Sequence, residues 1–232
     1  MFYCFVFVEI EERENLELLE RFNQERSEKE VGLLNANNNR QARGGFSLYI
    51  PEYIDKTEPT PLVIALHGGT GHGLDFIWSW LREARTRGFV LLAPTSQGDT
   101  WSLMDEDIDL PLLSREIEFI TEMLNINKDK ILLTGMSDGG TYSMLAGIRK
   151  DSPFSHLAPF SGVLHPEITM GGNIRHAKNR KIYLVHGTDD WMFPVETARM
   201  AEAELTGSGA ELTSRIIDGL SHTYRRTENP EN

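Results

Sequence analysis

From residue 45 onward, apolar residues fall into short unbroken runs separated by longer stretches in which they recur every third or fourth position. The runs at 46–50, 62–66, 89–94, 130–135, 181–187 and 212–218 have the length of buried strands, and a shorter one lies within 156–162. The stretches 73–88, 112–124, 140–148 and 194–205 carry the helical period, and Pro194 suits a first helical turn. Strands that alternate with helices need crossover connections. The pattern therefore predicts a doubly wound, mostly parallel α/β sheet. Sites in such sheets form beyond the carboxyl ends of the strands.

The chain before residue 45 reads differently. Residues 9–30 are dense in charge, with Leu16, Leu19 and Phe22 at helical spacing. They are either an amphipathic helix outside the main core or a solvated arm. Residues 35–45 form a polar connection rich in breakers. The expected organisation is an arm over 1–44 and a main α/β domain over 45–232. A length of 232 residues, 40% of them hydrophobic, suits one sizeable core with such an appendage. The net charge of −12 argues against nucleic acid and anionic membranes as partners. Residues 2–8 are apolar but too few to cross a bilayer. Glu9, Glu11 and Glu12 follow at once, without a basic flank or a cleavage site, so neither a membrane span nor a signal peptide is expected. Cys4 is the one cysteine, which excludes an internal disulfide and is compatible with a soluble, cytoplasmic protein. No phosphate loop, zinc-spaced His/Cys set or dinucleotide fingerprint occurs, and no cofactor or metal is expected.

One stretch carries specific chemistry. Gly135-Met136-Ser137-Asp138-Gly139 matches G-x-S-x-G between an apolar strand and a helix. That pattern places a serine at the apex of a strained strand-to-helix turn, with its hydroxyl thrust above the sheet. Side chains two residues to either side would collide, hence the glycines. A serine hydroxyl needs a base, and this kind of fold orders its partners as serine, acid, histidine. Asp189 and Asp190 follow one buried strand and His222 follows the last. Loop chemistry alone does not choose between the two aspartates. At 65–71 another strand ends in His67-Gly68-Gly69-Thr70-Gly71, where backbone N–H groups can face a developing oxyanion. The second such donor is the N–H after the nucleophile, that of Asp138. The side chain of His67 reads as a structural brace.

With these four stretches in place the chain resembles the α/β-hydrolase superfamily. Within it, the chain is similar to the phospholipase/carboxylesterase group and to polyhydroxybutyrate-depolymerase and feruloyl-esterase-like proteins. The pieces that carry the resemblance are "LHGGTG", "GMSDGG", "HGTDDWMFP" and "DGLSH". The family pattern H-G-x-x-D-x-x-x-P lines up His186, Gly187, Asp190 and Pro194, and so implies Asp190 as the acid. The resemblance also implies Gly69 as the first oxyanion donor, with Thr70 as fallback. Many relatives have glycine directly before the catalytic histidine, where this chain has Ser221.

Only residues 163–180 lie between two strands at the place where caps often enter this fold, so no large cap domain is expected. Trp101 is a candidate wall of the acyl pocket and Trp191 a candidate residue at its mouth. The expected activity is hydrolysis of small to medium carboxylic esters through an acyl-enzyme. Thioester hydrolysis and peptidase activity are alternatives on the same machinery, and a non-catalytic binding protein is a third. The expected partner is a small-molecule ester, and the oligomeric state is left open.

Overall fold

The computed structural model describes residues 31–36, 38–104 and 106–230. Cys4 and the segment 9–30, read as an amphipathic helix or a solvated arm, lie outside them. The described chain forms β1 (Gly32–Ala36), β2 (Phe46–Ile50), β3 (Thr60–Leu66), α1 (Gly73–Phe76), α2 (Leu81–Arg87), β4 (Val90–Pro94), α3 (Asp109–Met123), β5 (Ile126–Met136), α4 (Asp138–Gly147), β6 (His156–Phe160), α5 (Pro166–Met170), β7 (Lys181–Asp189), α6 (Val195–Gly207) and β8 (Glu211–Ser221). The strands make one eight-stranded sheet in the order β1-β2-β4-β3-β5-β6-β7-β8. β2 is antiparallel to both β1 and β4, and every pairing from β4 to β8 is parallel.

The period of two within β3 divides the core. Leu62, Ile64 and Leu66 point to one face, where they join Leu113 and Ile117 of α3, Tyr142 and Leu145 of α4, and Ala198 and Leu205 of α6. Val63 and Ala65 point to the other face, where they meet Ile77, Trp80 and Ala84. That second face explains why the single helix expected over 73–88 is broken. Residues Ile77–Ser79 form a 3-10 turn between α1 and α2. Eclipsed spacing at i and i+3 lets both Ile77 and Trp80 go fully into the core before the helix resumes at Leu81.

β1 lies on the arm side of the expected 44/45 boundary, yet it pairs with β2 from Gly32↔Ile50 to Ala36↔Phe46. The polar segment after it is also fixed. Asn38 is buried and exchanges hydrogen bonds with Ser47 (2.6 Å) and Thr95 (2.7 Å). The Thr95 amide donates to Gly45 O at 2.7 Å. Between β6 and β7 the chain forms only α5 and a 3-10 turn at Asn173–Ala177, and no large cap covers the sheet among the described residues. No helix among the described residues is long and apolar enough to cross a membrane.

Candidate active site

The expected residues come from the carboxyl ends of four parallel strands. Ser137 occupies the one-residue step between β5 and α4, at φ 57° and ψ −119°. Its amide donates to Phe160 O of β6 at 2.9 Å, and its carbonyl accepts from Thr141 N at 2.9 Å. The turn closes so tightly that a Cβ on Gly139 would fall on the carbonyls of Leu66 and His67, and one on Gly140 would lie 2.6 Å from Phe160 O. Ser137 is 7% exposed.

Asp190 and His222 emerge side by side for a reason of register. β7 and β8 run in step to Gly187↔Ile217 and then shift, so that Asp189 pairs with Ser221. Gly187 permits the shift, because any side chain there would strike the Leu220 carbonyl. The next residue on each strand is a member of the expected pair. His222 Nδ1 donates to Asp190 Oδ2 at 2.8 Å and approaches Oδ1 at 3.0 Å. Asp190 Oδ1 also accepts from the amides of Phe193 (2.8 Å) and Met192 (3.0 Å). The Asp190 side chain is fully buried, while Asp189 is exposed. Burial alone would raise the Asp190 pKa. The Phe193 amide, the His222 hydrogen bond and charge, and the Met192 amide together outweigh it and hold the carboxyl below its ordinary value. With Nδ1–H committed to this carboxylate, Nε2 is the ring nitrogen left to exchange a proton. The rings of Phe193 (5.4 Å, 82°) and Trp191 (6.0 Å, 70°) stand edge-on around the imidazole. His186 is buried behind the pair. Its Nε2 donates to Phe193 O at 2.8 Å and lies 3.4 Å from Asp190 Oδ2.

The glycine loop after β3 rests on the serine turn. A Cβ on Gly68 would come 3.5 Å from that of Ser137. Gly71 N donates to Gly68 O at 2.9 Å. The amide of Thr70 donates to Asp99 O at 2.7 Å, so Thr70 is already engaged. Among the described residues no acceptor takes the Gly69 amide. A Cβ on Gly69 would sit 2.6 Å from Asp138 Oδ2, which accepts a 2.6 Å hydrogen bond from Thr100 Oγ1, so a side chain there would displace that carboxylate. The Asp138 amide belongs to the first turn of α4, where backbone N–H groups lack helical partners.

His67 roots this loop. Nε2 accepts from Ser96 N at 3.0 Å, which fixes the proton on Nδ1 for donation to Gly68 O at 2.6 Å. Burial, the largest influence, pushes its pKa down to about 4. Trp101, expected as a wall of the acyl pocket, has a different place. It is 3% exposed, donates its indole N–H to His67 O at 2.8 Å, and stacks on Tyr142 at 5.4 Å. It is a beam beneath the loop, because the polar stretch around it turns its one aromatic ring inward. Trp191, by contrast, is 74% exposed at the rim beside His222. Nothing in the sequence pattern marks the supporting contacts of Thr100 and Phe193; His186 alone among these supports carries a sign, in the H-G-x-x-D pattern. A groove of about 850 Å³ opens at the amino ends of the strands, between Lys130, His156, Lys181 and Glu211.

The model of the family described as phospholipase/carboxylesterase matches residues 92–228, more than half of the chain. The chain belongs to the phospholipase/carboxylesterase family. This is a family of esterase- and thioesterase-type hydrolases with the α/β-hydrolase fold. Acyl-protein thioesterase 1 of Gibberella zeae is 24% identical over 200 residues, covering 72% of this chain and 85% of that protein. Esterase PE8 superposes with a TM-score of 0.62 at 18% identity over 85% of this chain and 94% of its own. A thermostable esterase gives 0.63 at 21% identity over 75% of this chain, which spans half of that protein's length. At these identities the structural likeness speaks for the fold.

Proposed function

We propose that the protein is a serine carboxylesterase in which Ser137, His222 and Asp190 form the catalytic triad. The observation that carries this reading is the Asp190–His222 hydrogen bond of 2.8 Å, at the end of the sheet where Ser137 is held in a strained turn. Ser137 Oγ attacks the acyl carbon as its proton passes to His222 Nε2. The carbonyl π electrons move to oxygen, and the amides of Gly69 and Asp138 receive the oxyanion. Collapse breaks the C–O bond to the alcohol, which leaves with the proton from His222. Water then adds to the acyl-enzyme, giving its proton to Nε2, and a second collapse releases the acid and restores Ser137. Asp190 holds the reactive tautomer and favours the imidazolium throughout.

Small to medium acyl groups are the proposed substrates, because only α5 and one 3-10 turn stand between β6 and β7 to cover the site. Ser137→Ala, assayed with p-nitrophenyl esters of increasing chain length, is expected to lose turnover while its circular dichroism stays unchanged. Fluorophosphonate is expected to label Ser137 in the wild type. Turnover retained in the variant, or a label elsewhere, refutes the assignment. A rate jump above the micellar threshold of a long-chain ester refutes the open site. The similarity to an acyl-protein thioesterase favours a second reading, thioester cleavage by the same residues. Matched oxygen and sulfur esters of one acyl group decide between them by kcat/KM.

A further inference from the structure

The loop that presents Gly69 contains no regular structure, so its shape must come from outside. Part of the support is a set of bonds to the neighbouring loop at 95–101: Ser96 N to His67 Nε2, Thr70 N to Asp99 O, and Trp101 Nε1 to His67 O. The remainder comes from the polar segment between β1 and β2. Ala42 O meets His72 Nε2 at 3.0 Å, and Gly44 N donates to Ser96 O at 3.3 Å. Between these two residues lies Arg43. Its Nη1 donates to Gly71 O at 2.8 Å and its Nε to Ser96 O at 3.1 Å, while Nη2 donates to Ser96 Oγ and Gly98 O. One guanidinium thus spans both loops, and all four acceptors are uncharged. A planar fork of five donors suits this task, whereas an ammonium group presents donors around a single point.

We infer that Arg43 is a positioning residue for ester hydrolysis: by clamping Gly71 O to Ser96 and Gly98, it holds the Gly68–Gly71 turn so that the Gly69 amide faces the carbonyl attacked by Ser137. This rests on the proposed roles of Ser137 and Gly69. Arg43 acts through the loop and touches no reacting atom. Its loss frees the Gly71 carbonyl, and the turn closed by Gly71 N and Gly68 O can then rotate the Gly69 N–H away. An oxyanion donor matters when charge develops, so the effect belongs to kcat and not to substrate binding.

The test uses the full chain with Arg43→Ala and Arg43→Lys, p-nitrophenyl butyrate as substrate, and a trifluoromethyl ketone that forms an oxyanion on Ser137. The expected result for Arg43→Ala is a fall in kcat of about 30-fold, KM within twofold, and ketone affinity reduced in proportion to kcat/KM. Added ethylguanidinium is expected to restore part of kcat, and ethylammonium is not. Arg43→Lys keeps the charge and the stem, so it serves if the alanine variant fails to fold; its kcat is expected to fall at least fivefold with an unchanged melting profile. Wild-type kcat in Arg43→Lys overturns the inference, as does a rise in KM at constant kcat, or ketone affinity that does not follow kcat/KM. Ser137→Ala run alongside separates the two claims. If that variant still turns over, the site itself is wrong; if it is dead while folded Arg43 variants keep full kcat, only the role of Arg43 is wrong.

Discussion

Ser137 leaves β5, which lies between β3 and β6 in the interior of the sheet, whereas His222 leaves β8, which pairs with β7 and stands at the end of the strand order. The surroundings differ accordingly. Every residue of α4 after Asp138 is buried, and the serine turn is fitted against the backbones of β3 and β6 with no space for a methyl group at Gly139 or Gly140. No residue of β8 is fully buried. His222 is held instead by side chains: Asp190 on one side, Phe193 and Trp191 around it, and Tyr224 two residues on. Tyr224 packs against Phe76 (5.2 Å) and Phe160 (4.7 Å), and its hydroxyl donates to Asn229 at 2.5 Å. Phe160 is also the residue whose carbonyl receives the Ser137 amide. The proposed nucleophile is thus positioned by main-chain packing, and the proposed base by hydrogen bonds and rings that converge on the same strand end.

Breaking the side-chain arrangement is expected to cost activity more than stability. Asp190→Asn leaves the shape but loses the acceptor that sets the His222 tautomer; kcat is expected to fall by about 10³–10⁴ with only a small change in melting temperature. Steady-state rates at neutral pH check it, and a fall below tenfold contradicts the scheme. Breaking the main-chain arrangement is expected to do the reverse. Gly139→Ala drives a methyl group into the β3 carbonyls and should destabilise by about 3 kcal/mol, read from urea unfolding, with activity lost as a consequence.

The root of the glycine loop supplies a pH test. Burial holds the His67 pKa near 4, against an ordinary value of 6.5. The unfolded chain therefore takes up this proton first as pH falls. The associated stability is complete above about pH 6.5 and is lost as pH drops towards 4, a change on the order of 3 kcal/mol. His67→Gln cannot titrate and is expected to flatten that part of the profile; parallel profiles for variant and wild type count against the assignment. Smaller still, Tyr224→Ala is expected to cost about 2 kcal/mol and roughly tenfold in kcat. Tyr224→Phe, which keeps the ring contacts and loses the Asn229 bond, should retain most of both.

The same contrast governs what was legible in the sequence. Ser137 announces itself because a main-chain turn leaves glycines at fixed offsets. Order and strand ends point to an aspartate and to His222, but the residues alone do not prefer Asp190 to Asp189; the register shift that sets Asp190 beside His222 leaves only Gly187 as a trace. The supports were mostly hidden. Arg43 sits in a segment whose composition reads as a linker, since a guanidinium that binds carbonyls has no charged partner to reveal it. β1 was missed because five residues interrupted by Asn35 look like a loop until Leu34 and Ala36 are seen in the core. The burial of Trp101 beneath the glycine loop is not legible either, because position in a polar loop says nothing of which way a ring turns.

The positive φ of Ser137 has a consequence for evolution and for engineering. A residue with a Cβ at φ 57° and ψ −119° is held in a backbone well that glycine enters freely, at a cost of about 1 kcal/mol or more. Ser137→Gly is therefore expected to melt higher than the wild type while being inert, as differential scanning calorimetry would show. Drift without selection for turnover is then expected to move this position towards glycine.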